Sequence, residues 1–371
     1  MPGLNLLIKP ASSLCNLKCK YCFYADVAES RAVPCYGKMS EETLEAVVKR
    51  AFEYTDRYVS FAFQGGEPTL VGLDFYKRLL ALEATYNEKK IPVLYSIQTN
   101  GLLLDEEWAE FLSKNRFLVG LSLDGTREAH DSLRVDAEGN GTYDRVTQCA
   151  DLLARHGVEF NILCVVNRYV ARYPRRVYEN LRKYGYLQFI PCLDGLLGEK
   201  APFSLSADRY GSFLCGLFDC YYDDLVAGNF ISIRNFDNYV QMCAGYPPES
   251  CALTGRCSCS PTIEGNGDVF PCDFYVLDEY RLGNVHTHTL EEMIQGEVAH
   301  RFIGGSESSA ESCRTCPYYS LCRGGCRRER EPSVQERTRF CQSYRTFFAH
   351  AMPRLKELAW YLTQQSTGDN T

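Results

Sequence analysis

Six short apolar, β-rich runs recur between residues 5 and 195, each followed by a stretch of helical periodicity. They read NLLIKP (5–10), YVSFAFQGG (58–66), VLYSIQTNG (93–101), FLVGLSLDG (117–125), VEFNILCVV (158–166) and LQFIPCLD (187–194). Between them, SEETLEAVVKRAFEY and DEEWAEFLSKN place apolar residues at helical spacing and acids in the first turn, where they suit the helix dipole. Residues 73–88, 143–156 and 173–184 repeat the pattern. Strands apolar on both faces that alternate with helices predict a parallel sheet covered by helices. Six such units suit an incomplete barrel better than a closed barrel of eight.

The polar and glycine-rich residues gather at the strand C-termini, as QGGEP, QTNG, SLDG and CLDG. In α/β barrels that rim carries the chemistry, although any one of these turns is also an ordinary βα connection. A helix over about 206–228 closes this region, and composition changes near 240, which predicts domains of 1–235 and 236–371. Nine cysteines crowd residues 251–341, so the second domain is expected to be stapled rather than core-driven. A final helix over about 343–364 precedes QQSTGDNT, expected to be a disordered tail.

Composition narrows the classes. The chain has 371 residues, 45% hydrophobic and 23% charged, enough for a large core. Its net charge of −7 excludes the basic footprint of a nucleic-acid binder, and the RGGCRRER run reads as a solvated face. No run approaches the roughly 18 apolar residues of a membrane span, and the N-terminus has no secretory core, so a cytoplasmic protein without membrane partners is expected. In a reducing compartment 19 cysteines point to metal or redox chemistry rather than disulfides.

The first cysteine cluster, SSLCNLKCKYCFY, places Cys15, Cys19 and Cys22 in C-x3-C-x2-C spacing. Three thiolates leave one coordination position open, and an open position signals catalysis. The motif resembles that of the radical S-adenosylmethionine (SAM) superfamily, which follows the first strand of a partial (β/α)6 barrel of TIM type. The resemblance extends to GGEP, residues 65–68, where the family binds the SAM amino group; glycine lets backbone approach a ligand closely. It implies that Tyr21, Gly66, Ser122, Arg134 and Leu193 contact SAM, and that the bound cofactor yields a 5′-deoxyadenosyl radical.

The second cluster comprises Cys251, Cys257, Cys272, Cys313, Cys316, Cys322, Cys326 and Cys341. The block CRTCPYYSLCRGGC resembles the SPASM domain of peptide-modifying radical SAM enzymes, which binds two auxiliary [4Fe-4S] clusters. That resemblance implies one cluster on Cys251, Cys257, Cys272 and Cys326 and another on Cys313, Cys316, Cys322 and Cys341. Cys259 competes with Cys257 in CSC and is left unassigned. Spacing alone also permits zinc, so a non-catalytic zinc or iron-sulfur protein is the alternative of a different class.

Across nearly the whole chain, through LLIKPASSLCNLKCKYCFY, SFAFQGGEPTL, EFNILCVV and VFPCDFYVLDEYRLGN, the sequence is similar to the anaerobic sulfatase-maturating enzymes. This implies oxidation of Cys or Ser in a C/S-x-P-x-R sequence of a sulfatase polypeptide to Cα-formylglycine, with three [4Fe-4S] clusters, SAM, and a reducing donor of flavodoxin or ferredoxin type. It also places Asp273 at the active site as the base, against the simpler reading that the carboxylate orients the Cys272 loop. Gln64 and Gln98, at the ends of the second and third strands, and Tyr24 are candidates to hold the substrate backbone. Another SPASM peptide maturase, forming a thioether or crosslink, would share every cluster and differ in the fate of the substrate.

Overall fold

The computed structural model describes residues 3–196, 198–307, 310–331 and 337–368. Its strands are β1 (Leu4–Ile8), β2 (Val59–Phe63), β3 (Val93–Thr99), β4 (Phe117–Ser122), β5 (Phe160–Val166), β6 (Tyr186–Pro191), β7 (Ser232–Ile233), β8 (Thr262–Ile263), β9 (Asp268–Phe270) and β10 (Gly283–Asn284). The first six fall on the six runs of the sequence pattern. The chain divides into two compact units: Met1–Leu123, Asp131–Phe160 and Ser258–Gly305 form one, and Asp124–His130, Asn161–Cys257 and Ser306–Thr371 the other.

In the first unit β1 to β4 run parallel in sequence order, with Ile8 opposite Phe63, Phe63 opposite Ile97 and Ile97 opposite Val119. Helices α1 (Phe23–Glu29), α2 (Glu41–Tyr54), α3 (Leu73–Tyr86) and α4 (Glu106–Lys114) lie between these strands in the chain. Ser40 caps α2 by accepting from Thr43 N, and Asp105 caps α4 by accepting from Trp108 N at 3.0 Å, so each start is written locally. The helix-facing side of the sheet is dry: Phe63, Tyr76, Trp108 and Phe117 are buried and meet edge to face.

The other side of the sheet differs from the expectation of strands apolar on both faces. Along β2, Val59, Phe61 and Phe63 are buried, whereas Ser60 and Ala62 between them are half-buried. Small residues on the inward face leave room inside an incomplete barrel where a closed barrel would pack branched side chains. The strand rims therefore open onto space.

The cysteine-rich region is not held by cysteines alone. Its residues 258–305 rejoin the first unit, where β8 pairs parallel with β1, with Leu7 opposite Thr262 and Ile8 opposite Ile263. β9 and β10 then fold back antiparallel. β8 pairs with a β1 edge that would otherwise present unpaired backbone groups.

In the second unit β5, β6 and β7 are parallel neighbours, with Ile162 opposite Leu187 and Leu187 opposite Ile233. Helix Ala207–Val226 packs on the C-terminal helix Cys341–Gly368 through Phe218 and Phe347, 5.6 Å between ring centroids. Phe236 also stacks on Phe347, at 5.4 Å. The C-terminal helix runs on through most of the stretch expected to be an unstructured tail, and residues 369–371 lie outside the described set.

Candidate active site and cysteine clusters

The loop after β1 carries Cys15, Cys19 and Cys22, and backbone bonds fix its course. Lys18 N donates to Val135 O at 2.8 Å and Lys20 N to Leu133 O at 2.9 Å. On its other side, Gly66 N donates to Ser12 O at 2.9 Å and Glu67 N to Leu14 O at 2.7 Å. A Cβ on Gly66 would stand 1.9 Å from Leu14 O, so the GGEP turn reaches the cysteine loop only because that position is glycine. Gly65, at φ +117°, makes the turn itself.

Glu67 is the organiser of this rim that the sequence reading left unassigned. Its carboxylate is 1% exposed and accepts from Thr69 N and Thr69 Oγ1, from Thr99 Oγ1 and from Asn100 N. It thereby ties the end of β2 to the end of β3. Asn100 Nδ2 in turn donates to Asn16 Oδ1 at 2.8 Å, beside Cys15. Burial pushes the Glu67 carboxyl up, opposed by these donors.

Two residues implied by the resemblance, Arg134 and Tyr21, meet beside Cys19. Arg134 is buried, with Nη1 3.9 Å from Cys19 Sγ and its guanidinium 5.4 Å from the Tyr21 ring centroid. Ser122 Oγ accepts from Gln98 Nε2 at 3.1 Å, so two rim residues of adjacent strands are joined. Leu193 follows β6 in the second unit.

The carboxylate predicted as base meets its partners across a large sequence separation. The β1–β8 pairing sets the hairpin that continues into Cys272 and Asp273. Tyr24 Oη donates to Asp273 Oδ2 at 2.6 Å. Gln64 Nε2 donates to the same oxygen at 2.7 Å and lies 2.6 Å from Tyr24 Oη. Tyr24 and Gln64 thus turn their polar heads to Asp273. Asp273 Oδ1, in contrast, is buried without a hydrogen-bond partner.

That asymmetry has electrostatic consequences. Burial raises the Asp273 carboxyl above its ordinary range, against the pull of Lys9, Tyr24 and Gln64. Burial, then the Asp273 charge, raises the Tyr24 phenol, so it stays protonated at neutral pH and acts as the donor. The site presents a carboxylate with one oxygen clamped by two donors and the other free to take a proton.

The cysteines fall into groups. Cys15 is pushed up to about 12 by burial first, and also by Glu67, Cys19 and Cys22. Cys326 is pushed up to about 12 by burial, Glu329, Cys251 and Cys257. Cys313, Cys316, Cys322 and Cys341 line one cavity together with Tyr344 and Phe348. Cys272 lies on the first unit's hairpin, whereas Cys251, Cys257 and Cys326 belong to the second unit. Crowded thiols that oppose one another's ionisation fit a cationic cofactor, because ligation requires thiolates. Among the described residues no three His, Cys, Asp or Glu side chains converge as around a single metal ion. A cluster binds each cysteine at a different iron, which needs wider spacing than a tetrahedral zinc. All 19 cysteines are free of disulfides.

Comparison with known proteins finds two family matches. Residues 10–185 match the radical SAM superfamily and residues 251–317 an iron-sulfur cluster-binding domain of the SPASM type. A cysteine-type anaerobic sulfatase-maturating enzyme of Clostridium perfringens is 46% identical over 97% of this chain and 99% of its own. A serine-type enzyme of Bacteroides thetaiotaomicron is 33% identical over 99% and 94%. A solved structure described as native anSMEcpe with bound AdoMet and Cp18Cys peptide superimposes with a TM-score of 0.93 at 45% identity, covering 97% of this chain and 100% of that one. Streptococcus suis SuiB bound to its precursor peptide SuiA, at 18% identity and a TM-score of 0.61 over 90% and 74%, shares the fold.

Proposed function

The chain belongs to the anaerobic sulfatase-maturating enzymes, α/β radical SAM enzymes with a partial (β/α)6 barrel and a SPASM domain, and we propose that it converts cysteine in a C-x-P-x-R segment of a sulfatase polypeptide to Cα-formylglycine. The observation that carries the reading is the buried, unpartnered Asp273 Oδ1 beside Tyr24 and Gln64. Cysteine is favoured over serine because the cysteine-type relative is 46% identical and the serine-type 33%.

Cys15, Cys19 and Cys22 would hold a [4Fe-4S] cluster with one iron open to SAM, and Tyr21, Gly66, Ser122, Arg134 and Leu193 would surround SAM. Cys251, Cys257, Cys272 and Cys326 would hold one auxiliary cluster, and Cys313, Cys316, Cys322 and Cys341 the other. Bound together, these groups supply a 5′-deoxyadenosyl radical and an acceptor for one electron. Residues 1–235 are then the radical-forming part and 236–371 the auxiliary-cluster part.

The substrate cysteine loses a hydrogen atom from Cβ, a proton from sulfur and one electron, leaving a carbon–sulfur double bond. Hydrolysis gives the aldehyde and hydrogen sulfide. Asp273 takes the thiol proton at Oδ1. Tyr24 and Gln64 hold Oδ2 and so aim Oδ1, and the burial that raises the carboxyl makes it a better base than an exposed one. Gln98, on the rim beside Ser122, would hold peptide backbone.

The reducing electron would come from a flavodoxin- or ferredoxin-type donor. No helix among the described residues is long and apolar enough to cross a membrane. Nineteen cysteines without disulfides suit the reducing setting of the cytoplasm. Anaerobic reconstitution with SAM, reductant and paired C-x-P-x-R and S-x-P-x-R peptides tests the function by mass spectrometry. Formylglycine should form faster from the cysteine peptide; a crosslinked or unmodified product sinks the reading.

A further inference from the structure

Lys9 and Glu264 have no role in the chemistry above, yet they are buried charges, 1% and 0% exposed, close to the base. Strand register brings them together. Ile8 lies opposite Ile263, and Lys9 N donates to Ile263 O at 2.8 Å, so the next residue of each strand emerges at the same end of the sheet. Lys9 Nζ stands 2.7 Å from Glu264 Oε1, and Arg31 Nη1 reaches the same oxygen at 2.8 Å. Well-packed apolar residues commonly replace buried ion pairs without loss of stability, so packing alone does not account for these charges.

The further contacts of Lys9 suggest what the charge does. Its Cβ and Cγ lie 3.0 Å from where a Cβ on Gly65 would stand, so its stem underlies the GGEP turn. Its ammonium lies 5.1 Å from the Tyr24 ring centroid, within cation–π range. Through Glu264 it grips the hairpin that goes on to carry Cys272 and Asp273.

We infer that Lys9 is a positioning residue: with Glu264 it clasps the hairpin to β1 and holds Tyr24 and Asp273 in one register. The role rests on Asp273 being the base. It predicts that loosening the clasp uncouples the two halves of the reaction, because the radical is still made while proton removal is misaligned. A misplacement of about 1 Å can lower a rate ~100-fold.

The test is Lys9→Met in reconstituted full-length enzyme, with iron content, 5′-deoxyadenosine and formylglycine measured in the same cysteine-peptide reaction. Iron and 5′-deoxyadenosine should stay within about twofold of wild type, while formylglycine per 5′-deoxyadenosine falls ~10- to 100-fold and Lys9→Arg restores part of it. An unchanged ratio, or an equal fall in both products as a purely structural defect would give, overturns the inference. Should Lys9→Met lose iron, Glu264→Gln must lower the ratio in an iron-replete protein; an unchanged ratio there overturns it equally. Asp273→Asn in the same assay separates the two claims, because an unchanged ratio in that variant removes the base assignment whatever Lys9 does.

Discussion

Tyr24→Phe probes the clamp on the base with the least disturbance. The ring keeps its place over Lys9, at 5.1 Å, and against Phe23, at 4.0 Å between centroids, so the change removes one hydroxyl. That hydroxyl gives Asp273 Oδ2 a 2.6 Å hydrogen bond, and the Gln64 donor at 2.7 Å remains. A hydrogen bond to a charged group contributes about 1.5–3 kcal/mol, so loss of one of two donors should slow formylglycine formation ~10- to 100-fold. Radical formation depends on residues of the cysteine loop and the GGEP turn, and 5′-deoxyadenosine should therefore persist. Single-turnover assays on a cysteine peptide, quantifying both products, measure this. Formylglycine formation within twofold of wild type would refute the clamp.

Three further outcomes follow from the geometry. Because burial raises the Asp273 carboxyl, the base is lost as pH falls through a value above the ordinary carboxylate pKa of about 3.9. The acidic limb of formylglycine formation should lie above that value and be absent from 5′-deoxyadenosine formation; a shared limb contradicts it. Gly66→Ala would drive a methyl against Leu14 O, 1.9 Å away, and should cost the barrel cluster alone, about four irons of roughly twelve by iron analysis. Glu67→Gln puts an amide among four donors and should destabilise the protein by about 1–3 kcal/mol in urea unfolding of the cluster-free chain compared with wild type.

Much of the fold was legible because the barrel strands are marked locally. Short apolar runs end on glycine-rich rims, and Ser40 and Asp105 announce their helices. The cysteine loop and the GGEP turn were likewise readable as motifs. What the sequence hid is long-range. The return of residues 258–305 to β1 rests on two-residue strand pairings, too short to give a periodic signal. Without that pairing nothing links Tyr24 to Asp273, or Lys9 to Glu264. A lysine at the end of an apolar strand and a glutamate within TIEGNG were the available hints. The position of Gln64 and Tyr24 at the rim was readable, but their shared partner Asp273 was not. Glu67 sat inside a recognised motif, but its four donors come from two different strand ends.

The central claim is that Asp273 removes the substrate proton in a step separate from radical formation. The direct measurement is the mass spectrum of a C-x-P-x-R peptide after turnover with wild type and Asp273→Asn, alongside the 5′-deoxyadenosine released. Wild type should exchange the cysteine sulfur for oxygen with loss of two hydrogens, matched to 5′-deoxyadenosine, while Asp273→Asn releases 5′-deoxyadenosine and leaves the peptide without aldehyde. Undiminished aldehyde from Asp273→Asn would contradict the account.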